Sequence, residues 1–196
     1  MATTEFIECN PQKNEVGKFG YKNAKGEVII PFEYDAWTYY CKKDIVLIKE
    51  GKVGMLDWQG NTLIPFEYED IVKRQWYDKR YFEVAKERKW GMIDSNNNIV
   101  LPLKYSYFRT KYVPEGIFII TMKDGKYGVI DLAEKIIVPF EYDYLKENYY
   151  AITPSHPSLI VAKDGKWSVI DLFGNPISPE TYDQFYMLLN AMGYKF

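Results

Sequence analysis

A single block is written five times along this chain. It reads GKFGYKNAKGEVIIPFEYDAW over 17–37, GKVGMLDWQGNTLIPFEYEDI over 51–71, RKWGMIDSNNNIVLPLKYSYF over 88–108, GKYGVIDLAEKIIVPFEYDYL over 125–145 and GKWSVIDLFGNPISPETYDQF over 165–185. Repetition at this period constrains architecture before any local motif does, because each copy is a supersecondary unit that must bury its apolar face on its neighbours. The lysines Lys18, Lys52, Lys89, Lys126 and Lys166 precede the prolines Pro31, Pro65, Pro102, Pro139 and Pro179 by thirteen positions each time, and Tyr34, Tyr68, Tyr105, Tyr142 and Tyr182 follow three positions later. Successive lysines, by contrast, lie 34, 37, 37 and 40 residues apart. The block is rigid and the joint between blocks takes up the length.

Within a block the apolar pattern is that of strands. Ile45-Val46-Leu47-Ile48 meets the punctuation Glu50-Gly51, and Val53-Gly54-Met55-Leu56 runs back. Gly51, Asp124-Gly125 and Asp164-Gly165 stand where a tight hairpin needs positive φ. A second turn is expected at Asp57-Trp58-Gln59-Gly60, Asp94-Ser95-Asn96-Asn97 and Asp171-Leu172-Phe173-Gly174, with the aspartate capping its start. A third strand then runs into the proline, which donates no ladder hydrogen bond and so marks an edge, a bulge or an exit from the sheet. The tyrosine is read as a packing anchor whose hydroxyl bonds a nearby backbone group. Gly54, Gly91 and Gly128 lie inside a strand, which predicts close approach of another backbone or ring.

These fixed offsets resemble the WG repeat, a bacterial family named for its Trp-Gly pair. Trp90-Gly91 keeps the pair, Phe19-Gly20, Val53-Gly54 and Tyr127-Gly128 vary its first member, and Trp167-Ser168 its second. The resemblance implies an interaction module. The resulting expectation is an all-β repeat protein, one domain over 1–196, with five three-stranded antiparallel units in an open twisted array. Apolar residues at Phe185, Met187, Leu188, Leu189 and Met192, with Gly193 as a stop, predict a short helix within a C-terminal cap over 182–196. The alternative is a closed, five-bladed, propeller-like ring.

Composition and motifs narrow the function. A formal net charge of −2 carries no basic stripe for nucleic acid. No apolar run is long enough to span a bilayer. Cys9 and Cys41 make no disulfide framework, and the start lacks the regions of a secretory leader, so a cytoplasmic location is expected. His156, between Pro154 and Pro157, is read as a loop residue rather than a braced general base. Asp94 to Asn98 begins like a calcium loop but has Ile99 where glycine is required and Tyr105 where the bidentate glutamate belongs. No cofactor, metal or catalytic residue is nominated, and no enzyme is expected. The recurrent lysines would suit an anionic ligand, yet beside hairpin turns they read better as solvated edge charges that Glu33, Glu67 and Glu141 neutralise.

The joints carry the aromatic residues that anchor interfaces at low rotamer cost. Trp37, Tyr39, Tyr40, Trp76, Tyr77, Tyr107, Phe108, Tyr149 and Tyr150 are the candidate partner-binding residues. The expected partner is another protein, with a toxin held by an immunity or inhibitor protein as the concrete version. The rival is a carbohydrate-binding module stacking sugars on the same rings. An open array predicts an elongated particle in small-angle scattering, and a compact disc would favour the ring.

Overall fold

The computed structural model describes residues 11–40, 44–76, 79–114, 116–148 and 158–193. Those residues form five antiparallel sheets, none closed on itself, and one helix. The first sheet holds β1 (Gln12–Lys13), β2 (Phe19–Lys22) and β3 (Val28–Tyr34). The second holds β4 (Ala36–Tyr40), β5 (Asp44–Lys49), β6 (Lys52–Asp57) and β7 (Thr62–Tyr68). The third holds β8 (Asp70–Trp76), β9 (Lys79–Lys86), β10 (Lys89–Asp94) and β11 (Ile99–Tyr105). The fourth holds β12 (Phe108–Val113), β13 (Gly116–Lys123), β14 (Lys126–Ile130) and β15 (Ile136–Tyr142). The fifth holds β16 (Tyr144–Glu147), β17 (Ser158–Lys163) and β18 (Lys166–Asp171), and the helix α1 is Phe185–Ala191. The chain divides into two compact units, Met1–Leu103 and Lys104–Phe196.

The three strands that the pattern predicts are present, as β5, β6 and β7 in the second sheet, but a fourth strand from the joint, β4, is added in front of them. After Tyr34, Tyr68 and Tyr142 the chain turns a one-residue corner, and after Tyr105 a two-residue one, before pairing with the strand that leads into the next block, so that Trp37 faces Leu47 and Ile71 faces Val84. The joint is itself a hairpin. The longest joint carries its extra residues in the sequence between β16 and β17, outside the paired residues of either strand. The turns back into the block put Glu50 and Gly51, or Asp124 and Gly125, at positive φ on both central residues, the geometry whose twist matches paired strands.

Strand burial follows from stacking. In the first unit Ile45 and Leu47 pack with Tyr21, Ile30 and Tyr34 of the first sheet, whereas Val46 packs with Phe82, Val84 and Ile93 of the third. Alternate side chains of one strand thus enter two cores, which is why β5 reads as a continuous apolar run. In the second unit Ile120, Val129 and Val138 meet Leu159, Val161 and Ile170. Ile160 and Val169 are covered by Leu188 of α1, and Gly193 stands just beyond the helix at φ 89°.

The proline resolves as a bulge in an edge strand. Between the pairs Val53↔Tyr68 and Met55↔Ile64, the three residues Pro65, Phe66 and Glu67 oppose Gly54 alone. A Cβ on Gly54 would stand 2.7 Å from the Phe66 ring, one on Gly128 2.8 Å from the Phe140 ring, and one on Gly91 2.6 Å from the Leu101 carbonyl oxygen. The fifth copy has Ser168 here and prolines at 176 and 179, and its third strand is reduced to the bridges Trp167↔Tyr182 and Ile170↔Pro176. The unit is therefore three-stranded only in part at the C-terminal end. The added Cβ and the two missing N–H donors both act against a ladder.

The tyrosine anchors otherwise than expected. In the second and third copies its hydroxyl reaches a side chain in the second turn of the next copy, not a nearby backbone group: Tyr68 donates to Asn97 Oδ1 at 2.9 Å, and Tyr105 donates to Glu134, whereas Tyr182 donates to Glu180 of its own copy at 2.5 Å. Tyr68→Phe should cost about 1 kcal/mol and should show coupling of similar size with Asn97→Gly in a double-mutant cycle. Gly91→Val, which drives a side chain into backbone, should cost about 3 kcal/mol in denaturant unfolding, whereas Ser168→Gly should cost little. Equal costs at positions 91 and 168 would contradict the bulge account.

Candidate partner-binding surface

Of the nine joint aromatics, the structure describes the side chains of Trp37, Tyr107 and Phe108; those of Tyr39, Tyr40, Trp76, Tyr77, Tyr149 and Tyr150, like His156, lie outside the described residues. All three are half-buried. Trp37, on β4, packs on the core between the first and second sheets. Tyr107 meets Tyr127 edge-on at 5.2 Å, and Phe108 lies 5.9 Å from Tyr105. Each ring commits part of its area to sealing one copy onto the next.

Exposed large apolar side chains lie elsewhere. Val28 is 54%, Ile99 66% and Ile136 55% exposed, and all three occupy the same block position, the first residue of β3, β11 and β15. These are edge strands, unpaired on their outer side. Phe173, Ile177, Tyr186 and Met187 add exposed apolar area around the fifth copy and α1. Sequence reading by residue type favoured aromatic rings and passed over these positions. The signal was period two: Val28 and Ile30 share a face, and in the bulged strand the first of them lies beyond the cover of the neighbouring sheet. An open groove of about 580 Å³, lined by Lys13, Asn14, Val16, Lys22, Val28 and Phe32 among others, adjoins Val28.

Two sets of ion pairs organise the charge. Lys18, Lys126 and Lys166 pair with Asp35, Asp143 and Asp183 of their own copies, the second at 2.5 Å. Glu33, Glu67 and Glu141 do not neutralise those lysines, as their position in the block had suggested. They pair instead with Lys49, Lys86 and Lys163 of the following hairpin, at 2.8, 2.8 and 2.9 Å. The exposed pairs each contribute little on their own. Their effect is to leave Lys18, Lys126 and Lys166 spoken for rather than open to a ligand.

The second turn is held by its aspartate. Asp94 Oδ1 accepts from the Asn96 and Asn98 N–H groups at 2.8 and 2.9 Å, and Oδ2 accepts from Asn98 Nδ2 at 3.0 Å, so the loop that begins like a calcium site satisfies its own carboxylate. Asp57 and Asp171 repeat the arrangement. Among the described residues no group of His, Cys, Asp and Glu is arranged to hold a metal ion, and no helix is long and apolar enough to cross a membrane.

The description "WG containing repeat" matches residues 19–52, 90–127 and 127–152. The chain belongs to the WG repeat family. Its WG repeats account for the bulge glycine, the turn aspartate and the tyrosine as one structural unit, since the matched segments run through both block and joint. No curated protein matches the chain.

The pH range of stability follows from the same groups. The Lys18 ammonium and the Glu50 N–H hold Asp35 below its ordinary 3.8, Lys126 does so for Asp143, and hydrogen bonds from Asn98 do so for Asp94. Stability from depressed carboxylates is full above their unfolded value and is lost as pH falls through the folded ones, below about 3.8. Burial, followed by the Glu33 charge, pushes Tyr34 up to about 12, and burial with the Glu134 hydrogen bond pushes Tyr105 higher still. That stability is full below 10 and lost as pH rises toward the folded values. The melting temperature should be flat from pH 5 to 9 and fall on both sides; Asp94→Asn should flatten the acid side, and no change in slope there would refute the assignment.

Proposed function

We propose that the chain is a non-catalytic, protein-binding repeat scaffold acting in the cytoplasm, with an immunity or inhibitor protein that occludes a toxin as its concrete form. The observation that carries the reading is the recurrence of an open β-branched side chain, Val28, Ile99 and Ile136, at the head of a free edge strand in three copies. An edge offers backbone hydrogen bonds to an incoming strand, and side chains at its head supply the apolar contact that makes such addition specific. Single exposed apolar residues are ordinary, but repetition at one structural position is a surface pattern. Trp37, Tyr107 and Phe108 add half-open rings elsewhere on the surface. Their other halves lean on neighbouring rings or core, an arrangement better suited to a protein interface than to a flat sugar platform.

Affinity capture from the native cytosol, repeated with Val28→Lys, Ile136→Lys and Trp37→Ala, tests the proposal. The lysine variants should keep their melting temperature and weaken binding by about 2 kcal/mol, roughly thirtyfold. Trp37→Ala should lose both binding and stability, because its ring also belongs to the core. A partner held equally by all variants would refute the edge-strand surface, and recovery of no partner would count against the scaffold itself.

A further inference from the structure

The copies share a seat for a carboxylate, and one copy has left it vacant. The residue after the block tyrosine is Asp35, Glu69, Asp143 or Asp183 in four copies and Ser106 in the third. In the three copies that have both the acid and a following hairpin, the acid closes the seam between them: Asp35 Oδ2 accepts from the Glu50 N–H at 2.8 Å, Glu69 from the Glu87 and Arg88 N–H groups at 3.1 and 2.9 Å, and Asp143 from the Asp164 N–H at 3.1 Å. Two residues earlier, the glutamates at 33, 67 and 141 hold Lys49, Lys86 and Lys163 beside the same turns. In the third copy that glutamate is Lys104, which turns to Glu134 at 2.5 Å.

Both acids are thus missing from one seam, while the groups they serve remain. Lys123 and the Asp124 N–H occupy the places of Lys49 and the Glu50 N–H, as the shared register fixes: Phe108 faces Thr121 as Trp37 faces Leu47 and Leu145 faces Val161. Among the described residues no carboxylate accepts from the Asp124 N–H. The seam is also one rung shorter. Asp35 N, Glu69 N and Asp143 N each donate to the facing strand at 2.7–2.8 Å, whereas at the third seam pairing begins at Phe108 and the Thr121 hydroxyl donates to the Tyr107 carbonyl at 2.6 Å. The Asp124 carboxylate itself does not bar an anion, since Asp164 carries the same charge beside the occupied seat of Asp143.

We propose that the Ser106–Lys123–Asp124 seam is an oxyanion seat that takes the carboxylate of an aspartate or glutamate from a protein partner. The chain itself supplies the precedent, because three equivalent seats hold a carboxylate on the turn amide with a lysine alongside. A charge-assisted bond from the amide, joined by the free ammonium of Lys123, fixes the position of the incoming acid more than it adds raw affinity. The identity of the ligand rests on the protein-binding reading above; the existence of the seat does not.

Amide resonances of the full chain, titrated with a capped tetraglutamate peptide, sodium phosphate or sodium chloride at matched ionic strength, test it. The Asp124 and Gly125 signals should shift saturably with the peptide and not with chloride, while Glu50, Glu87 and Asp164, whose seats are filled, stay still. Ser106→Asp should remove the peptide response and raise the melting temperature by about 2–4 °C. Equal movement of all four turns, or of Asp124 with chloride, would overturn the seat, as would a Ser106→Asp variant that neither melts later nor blocks the peptide. Saturation by phosphate alone would overturn the carboxylate. Because the readout is the Asp124 signal, a failure to capture any partner would count against the scaffold reading and leave this result standing.

Discussion

The contact on which the rest of the structure depends is the one between a strand glycine and the bulge that crosses it. At Gly20, Gly54, Gly91 and Gly128 the third strand passes within 2.6–2.8 Å of where a Cβ would be. That approach lets a proline sit in the strand, since the bulged residues make no ladder bonds there, and it delivers the tyrosine back into register opposite the residue before the glycine, as in Phe19↔Tyr34 and Val53↔Tyr68. From the tyrosine the chain turns one corner into the joint strand, and the next sheet begins. Where serine replaces the glycine, the third strand gives way to two bridges. One missing methyl group thus links turn, bulge, corner and seam.

A stack built this way distributes its polar work among short, repeated contacts. A sheet covered on both faces, as the second is, requires apolar residues at consecutive strand positions, which removes charge to the turns and edges. There the acids do different jobs according to offset. The turn aspartate satisfies two or three donors of its own loop, the acid after the tyrosine caps the next hairpin, and the glutamate before it holds the lysine of that hairpin. Exposed ion pairs add little stability singly. Bonds from a carboxylate to a backbone N–H fix conformation where the φ angles are positive and otherwise unfavourable.

Much of this was legible in the sequence because it is local. Asp-Gly at a hairpin, Asp at a turn start, glycine inside a strand and the helical spacing of Leu188, Leu189 and Met192 each carry their meaning within a few residues. What was not legible depends on partners far along the chain. The joint strand lacks a distinctive pattern, so that Ala36–Tyr40 becomes a strand only because β5 offers it a free edge. The tyrosine hydroxyl finds Asn97 or Glu134 some 29 positions on, a distance that no local rule relates to it. The joint rings were chosen for residue type, and type alone does not tell a ring that seals two sheets from one that faces solvent. Trp37 and Tyr107 do part of each.

In a repeat, function is written in the departures. A position that performs one structural task in most copies has little freedom there, and its substitution in another copy either weakens the stack or releases the groups it served. Ser168 with the two prolines is the first kind: it closes the ladder and lets α1 cover the last sheet. Lys104 and Ser106 are the second, since both acids leave one seam together while the turn amide and the lysine they would have engaged stay in place. A single loss is tolerable as drift, but the paired loss changes the sign of the local charge by replacing one acid with a base and the other with a neutral group. Electrostatic complementarity governs which partner docks and in what register more than how tightly it holds. The apolar heads of the edge strands recur alike in three copies, whereas the third seam differs from its counterparts in local charge.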